Sequence, residues 1–182
     1  MEPLTEKGIL FIKRKLKDAP QPCPVFAAER KKLILVTNGS VLLEWPAKLV
    51  DTNCPAFSKL LDNQQHKLAV NHVEGLTKRP WPDTVFNPEA GEFFETEESE
   101  PNKKEMRRFL KDTPEGEEPY IPIIYTSGTE RVFYHPSSFD IVEQFVPRAT
   151  YRLWRRRGDE IYRALGVFEG ETLVGALAND RP

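Results

Sequence analysis

The chain has 182 residues, 39% of them hydrophobic, and a formal net charge of −2. That is enough apolar residue for one domain with a real core, and it excludes a wholly disordered chain. It also excludes a global basic field that draws in nucleic acid, so any such contact has to come from a local patch.

Thr5–Asp18 predicts the first helix, with Thr5 as its cap and the prolines at 20, 22 and 24 forbidding continuation. Ile9, Ile12 and Leu16 fall on one face, and Lys7, Lys13, Arg14 and Lys17 lie away from it. Leu10 and Phe11 break this pattern. Either their side is also covered, or Gly8–Phe11 is a short strand leading into a shorter helix. On ordinary surface composition the run at residues 13–17 reads as a solvated face, with phosphate contact as the sharper alternative. Lys31–Trp45 predicts a hairpin. Its two apolar runs flank Asn38-Gly39, a pair suited to the positive φ values of a type I′ turn. Runs this apolar suit well-buried strands, on both faces if the sheet is covered on both.

Beyond Pro46 the pattern weakens. Ala56–Leu61 reads as a helical turn with Phe57, Leu60 and Leu61 inward, and Lys67–Val73 as an alternating strand. Trp81, between two prolines, reads as a cover over the edge of the core. His66 and His72 stand six residues apart with no Cys or acidic partner at ligand spacing, so no metal site is expected.

Charge then shifts sharply. Residues 1–87 carry 13 basic and 9 acidic groups, residues 88–119 carry 5 and 11, and residues 120–182 carry 8 of each. The shift predicts a single domain over 1–182 whose halves, 1–87 and 120–182, are joined by an acidic connector, 88–119. Within the connector Lys103–Lys111 reads as a short helix with Met106, Phe109 and Leu110 along its apolar edge. Its composition is that of a solvated linker, with occlusion of a basic groove as the alternative.

The second half has the clearest periodicity. The runs at 121–125 and 131–135 flank a turn at Thr126–Thr129. Ser137 or Ser138 is the expected cap of a helix that buries Phe139, Val142, Phe145 and Val146 and closes at Pro147. Three strands follow, separated by turns at Arg157-Gly158-Asp159 and Glu169-Gly170-Glu171. In the first, Tyr151, Leu153 and Arg155 alternate with Thr150, Arg152, Trp154 and Arg156, giving a mostly apolar and a mostly basic face. The whole predicts an α+β fold of antiparallel sheets with two short helices, each half being a helix plus strands.

No phosphate loop, nucleophile elbow or zinc-protease signature occurs. His135 is the one candidate for a small-enzyme centre, and no carboxylate is placed by sequence to orient it. Neither catalysis nor a cofactor is expected. The densest chemistry is the arginine and aromatic run at 148–163, a composition used for phosphate and base contact and for protein interfaces alike. Strand alternation divides it between two faces and leaves Arg152, Trp154 and Arg156 together as a candidate interaction surface. Cys23 and Cys54 are expected as free thiols. There is no apolar run near membrane-spanning length and no secretion signal, so the cytoplasm is the expected compartment.

The order of these elements resembles the bacterial DNA sliding clamp, the β subunit of DNA polymerase III, and related phage or mobile-element proteins. Thr37-Asn38-Gly39 stands where that family has a T-D-G strand ending, and Phe133–Phe145 stands where it has its second helix motif, followed by three strands. Asn38 replaces the aspartate, no basic residue follows the glycine, and Ala178-Asn179-Asp180 replaces the family's ending. The resemblance covers about half the chain and implies a clamp-like pseudo-repeat of two helix-plus-strands halves. One such domain per chain does not close a ring alone, so what it implies is a non-enzymatic binding or scaffolding protein of DNA metabolism. Its partners would be double-stranded DNA or replication proteins, and its oligomeric state is left open. Helices line the DNA side in that family, which implies that Lys13, Arg14, Lys15 and Lys17 face phosphate. The alternatives are a protein–protein module, such as a mobile-element adaptor or inhibitor using Arg152, Trp154 and Arg156, and a small enzyme centred on His135.

Overall fold

A computed structural model of the chain describes residues 1–17, 26–30, 33–37, 41–62, 82, 85–95, 121–125, 131–134, 136–158 and 162–178. The first part runs through helix α1 (Glu6–Lys17) and strands β1 (Phe26–Arg30), β2 (Leu33–Thr37) and β3 (Val41–Pro46). A single 3-10 turn (Ala47–Leu49), helix α2 (Pro55–Asp62) and strand β4 (Gly91–Glu95) follow. The remainder comprises β5 (Ile121–Tyr125), β6 (Arg131–Tyr134), helix α3 (Pro136–Phe145), β7 (Ala149–Arg156), β8 (Tyr162–Glu169) and β9 (Thr172–Ala178).

The fold is α+β. Seven strands form one sheet in the order β1-β2-β3-β9-β8-β7-β4, and β5 and β6 pair separately. Every pairing between these strands is antiparallel. Two stretches share an element order, a helix followed by a three-stranded meander: α1 with β1-β2-β3, and α3 with β7-β8-β9. They meet last strand to last strand, Val41 opposite Leu177 and Leu43 opposite Gly175. Their helices also run in opposite directions. The ring of Phe145 at the end of α3 sits over Gly8 near the start of α1, whereas Lys15 near the end of α1 reaches Asp140 in α3.

The α1 cap is the one expected, with the Gly8 N–H donating to Thr5 Oγ1 at 3.4 Å. Gly8–Phe11 is helical, not a strand. Leu10 is 54% exposed, while Phe11 turns toward α3 and meets Phe145 edge to face at 6.4 Å between centroids. α3 begins earlier than either serine cap predicts. Pro136 opens it, a position where a missing N–H costs nothing, and Ser138 is buried within it. At its other end the Phe145 carbonyl accepts from the Glu2 N–H at 2.6 Å, so the segment before α1 caps α3. That segment is held further by Leu4, which bridges Val50, and by Trp45 Nε1, which donates to the Glu2 carbonyl at 3.0 Å.

Strands β3, β7, β8 and β9 carry buried side chains on both faces of the sheet. On one, Val41, Leu43 and Trp45 of β3, Tyr151 and Leu153 of β7, Leu165 and Val167 of β8 and Leu177 of β9 pack under the helices. The helices contribute Ile9, Ile12, Phe57, Phe139, Val142 and Phe145. On the other face Leu42, Trp154, Ala164 and Ala176 lie under Phe86, with Val85, Phe93 and Leu173 at the margin. Each large apolar side chain so enclosed contributes about 1.5–3 kcal/mol relative to exposure.

Three expectations change. Described residues hold three α-helices, not two, because Pro55–Asp62 completes a helix where a single turn is expected. The connector does not begin at residue 88, since β4 lies inside the stretch 88–119 and pairs with β7, Phe93 opposite Trp154. Burial of Phe93 against Phe86 and Phe168 holds this strand in the sheet despite its glutamates. The basic face of β7 is not a free face, because Trp154 belongs to the second apolar layer. The turn at Asn38-Gly39, the strand at 67–73, Trp81, the helix at 103–111 and the turn at 126–129 lie outside the described residues.

Candidate functional site

α1 sits on the sheet by Ile9 and Ile12, which are 0% and 2% exposed. At about 100° per residue this leaves Phe11, Gly8 and Lys15 on the side toward α3, and Lys7, Leu10 and Arg14 in an outward arc, with half-buried Lys13 at its edge, about 40° from Ile9. The four cations expected to face phosphate are therefore divided. Lys15 Nζ lies 2.5 Å from Asp140 Oδ2 of α3 and is taken out of the outward set. Lys13 and Arg14 remain in it, and the side chain of Lys17 is outside the described residues. Lys7 joins the arc in place of Lys15. Its spacing from Arg14, seven residues or two turns, was the available signal. Among the described residues Lys7, Lys13 and Arg14 form no ion pair.

The Lys15–Asp140 bridge is a surface interaction, its side chains 34% and 45% exposed. Asp140→Asn is expected to lower stability by no more than about 1 kcal/mol, read as a small shift of the urea midpoint at unchanged slope.

Between α1 and α3 runs an open groove of about 740 Å³. Gly8, Phe11, Phe145, Pro3 and Pro147 give it an apolar lining, Lys7 and Arg14 stand on the α1 side, and Glu143 and Gln144 stand on the α3 side. The Arg14 guanidinium lies 5.7 Å from the centroid of Phe11. Gly8 is required here, since a Cβ would come within 2.9 Å of the Phe145 ring. α3 carries Asp140 and Glu143 and no basic residue. The helical layer is thus basic on one helix and acidic on the other.

Arg152, Trp154 and Arg156 do share one face of β7, but their surroundings differ. Trp154 is 7% exposed, its ring 6.2 Å from that of Phe86. Arg152 stacks over Phe168 at 4.5 Å and donates to Glu171 at 3.0 Å, which ties it to the β8–β9 turn. Arg156 is exposed, and Arg155 on the opposite face stacks over Phe94 at 4.4 Å. These arginines hold the sheet margin more than they form a patch. The signal that hid Trp154 was remote, because its cover comes from Phe86, far away in sequence.

His135 lies outside the described residues, as do Cys23, His66 and His72. Cys54 is a free, buried thiol at the start of α2. Among the described residues no three His, Cys, Asp or Glu side chains gather where they would hold a metal ion. No described helix is long and apolar enough to cross a membrane. Comparison of the chain with protein-family models, with curated proteins and with solved structures finds no match.

Proposed function

We propose that this chain is a non-enzymatic, clamp-like scaffold of DNA metabolism that touches duplex DNA through the outward arc of α1. The observation that carries the reading is the arc itself: Lys7 and Arg14 project from the outward side of a capped, anchored helix, half-buried Lys13 stands at the edge of the arc beside Ile9, and the three have no ion pair among the described residues. Cations at helical spacing favour phosphate contact, because releasing condensed counterions from DNA supplies the free energy, and among the described residues no carboxylate has to be displaced from Lys7, Lys13 or Arg14 first. The clamp-like part is supported by the two helix-plus-meander units, which meet through β3 and β9 with antiparallel helices above them. A pseudo-repeat of two halves has that order.

α3 sets a limit on the mode. It carries no basic residue, and Asp140 is already paired with Lys15, so the contact is one-sided and runs along α1. Three cations neutralise about three phosphates, which gives a slope of about −3 for log K against log salt. A fluorescence anisotropy titration of a labelled duplex should show sequence-independent binding that weakens about fiftyfold between 50 and 200 mM salt. The triple variant Lys7→Glu, Lys13→Glu, Arg14→Glu should abolish it with folding intact. Absence of binding at low salt, or an unchanged affinity in the triple variant, would refute the reading.

A further inference from the structure

The groove between α1 and α3 has a lining that duplex DNA does not use. Its floor is the edge-to-face pair Phe11 and Phe145 with Pro3 and Pro147, and Gly8 leaves the α1 wall without a side chain beside Phe145. Its rims carry opposite charges, Lys7 and Arg14 on the α1 side, Glu143 on the α3 side and Glu2 at one end. A polyanion laid along such a groove meets attraction on one wall and repulsion on the other. A peptide does not have this conflict. It can turn carboxylates to one rim and backbone N–H groups to the other, with an apolar side chain between them.

We infer that the α1–α3 groove is a docking site for an acidic peptide segment of a partner protein, anchored by one aromatic or large aliphatic side chain on Phe11, Pro3 and Pro147. Lys7 and Arg14 are two helical turns apart, about 10 Å along the axis. Carboxylates three or four residues apart on an extended peptide span about 10–13 Å and reach both cations. The anchor then lies midway, over the aromatic floor. Lys7 and Arg14 also belong to the DNA-facing arc, whereas Lys13 does not line the groove. Peptide and duplex therefore compete for two of the three cations and differ in their use of the third.

The test uses the full chain and a dye-labelled probe peptide with two glutamates on either side of a Gly-Phe-Gly core, read by fluorescence anisotropy. Binding is expected, with a loss of about tenfold for Lys7→Glu and for Arg14→Glu, the worth of one partly desolvated charge pair. Replacing the probe's Phe by Ala should cost about tenfold as well, and Lys13→Glu should bind the probe like the parent chain. No binding of the probe overturns the inference, and so do equal losses in all three charge variants, which would mean diffuse attraction. Displacement of the probe by a single-stranded oligothymidine that depends on Lys7 and Arg14 but not Lys13 also overturns it, because the groove would then be a nucleic-acid site. Duplex affinity of Lys13→Glu, measured in parallel, falls only if α1 contacts DNA. Failure of the peptide site and failure of DNA binding are thus read separately.

Discussion

Phe145→Ala is expected to destabilise the protein by about 3–5 kcal/mol, the range for removing a buried Phe from a packed core. The residue is 2% exposed at the last position of α3. Its ring meets Trp45 of β3 edge to face at 5.2 Å and Phe11 of α1 in the same way at 6.4 Å. One side chain thus ties three elements, and the aromatic pairs add about 0.5–1.5 kcal/mol each beyond area burial. Small collapse is open to the cavity, because Gly8 opposite has no side chain to move into it. A typical domain has about 5–15 kcal/mol in total, so the variant should lose a large share of its stability. Urea denaturation checks this, and a loss under about 1 kcal/mol would mean that the α1–α3 contact is not formed as described. Function should follow stability here. The ring lines the groove and sets the distance between α1 and α3, so binding of the acidic probe peptide should weaken even where the variant remains folded.

Much of this frame is legible in the sequence, and the reason is local. The β7–β8–β9 meander follows from strand periodicity broken by Gly158 and Gly170, whose φ values of 82° and 60° are those that glycine adopts without strain. α1 follows from Thr5 and the spacing of Ile9 and Ile12, and the hairpin strands from two apolar runs. What sequence hides is long-range. β4 is masked by the acidic composition around it, and only its pairing with β7 brings Phe93 to the margin of the second apolar layer. The N-terminal segment has no periodicity, yet it caps α3 and satisfies Trp45. The division of the lysines is hidden for the same reason. A helical wheel identifies the side of α1 that faces the sheet, but it says nothing of α3, and α3 is what removes Lys15 and leaves Lys7. The layout of α1 was therefore half legible: its sheet-facing side could be read, but not which of its cations stay outward.

The second large effect is expected at Gly175, where the two helix-plus-meander units join. β3–β9 is the pairing that links β1-β2-β3 to the rest of the sheet among the described residues, and Gly175 stands opposite Leu43 in it. A Cβ there would come within 2.5 Å of the Leu42 carbonyl oxygen and 2.6 Å of Leu43 Cδ2. The Leu43 side chain can turn, but the Leu42 carbonyl is backbone and cannot withdraw without opening the pairing. Gly175→Ala is therefore expected to cost about 1–3 kcal/mol or more, the range for overpacking a filled interior. Gly170→Ala is the control. Its φ of 60° makes an alanine mildly strained, about 1–2 kcal/mol, and no atom lies within 4 Å of the new Cβ. The two variants should differ in kind. Gly170→Ala should lose stability alone and bind the acidic probe peptide like the parent chain. Gly175→Ala should shift one unit against the other and change the α1–α3 spacing, so binding of the probe in the groove should weaken at temperatures where the chain is still folded. Equal binding by both would mean that the joint between the units does not set the geometry of the helical layer.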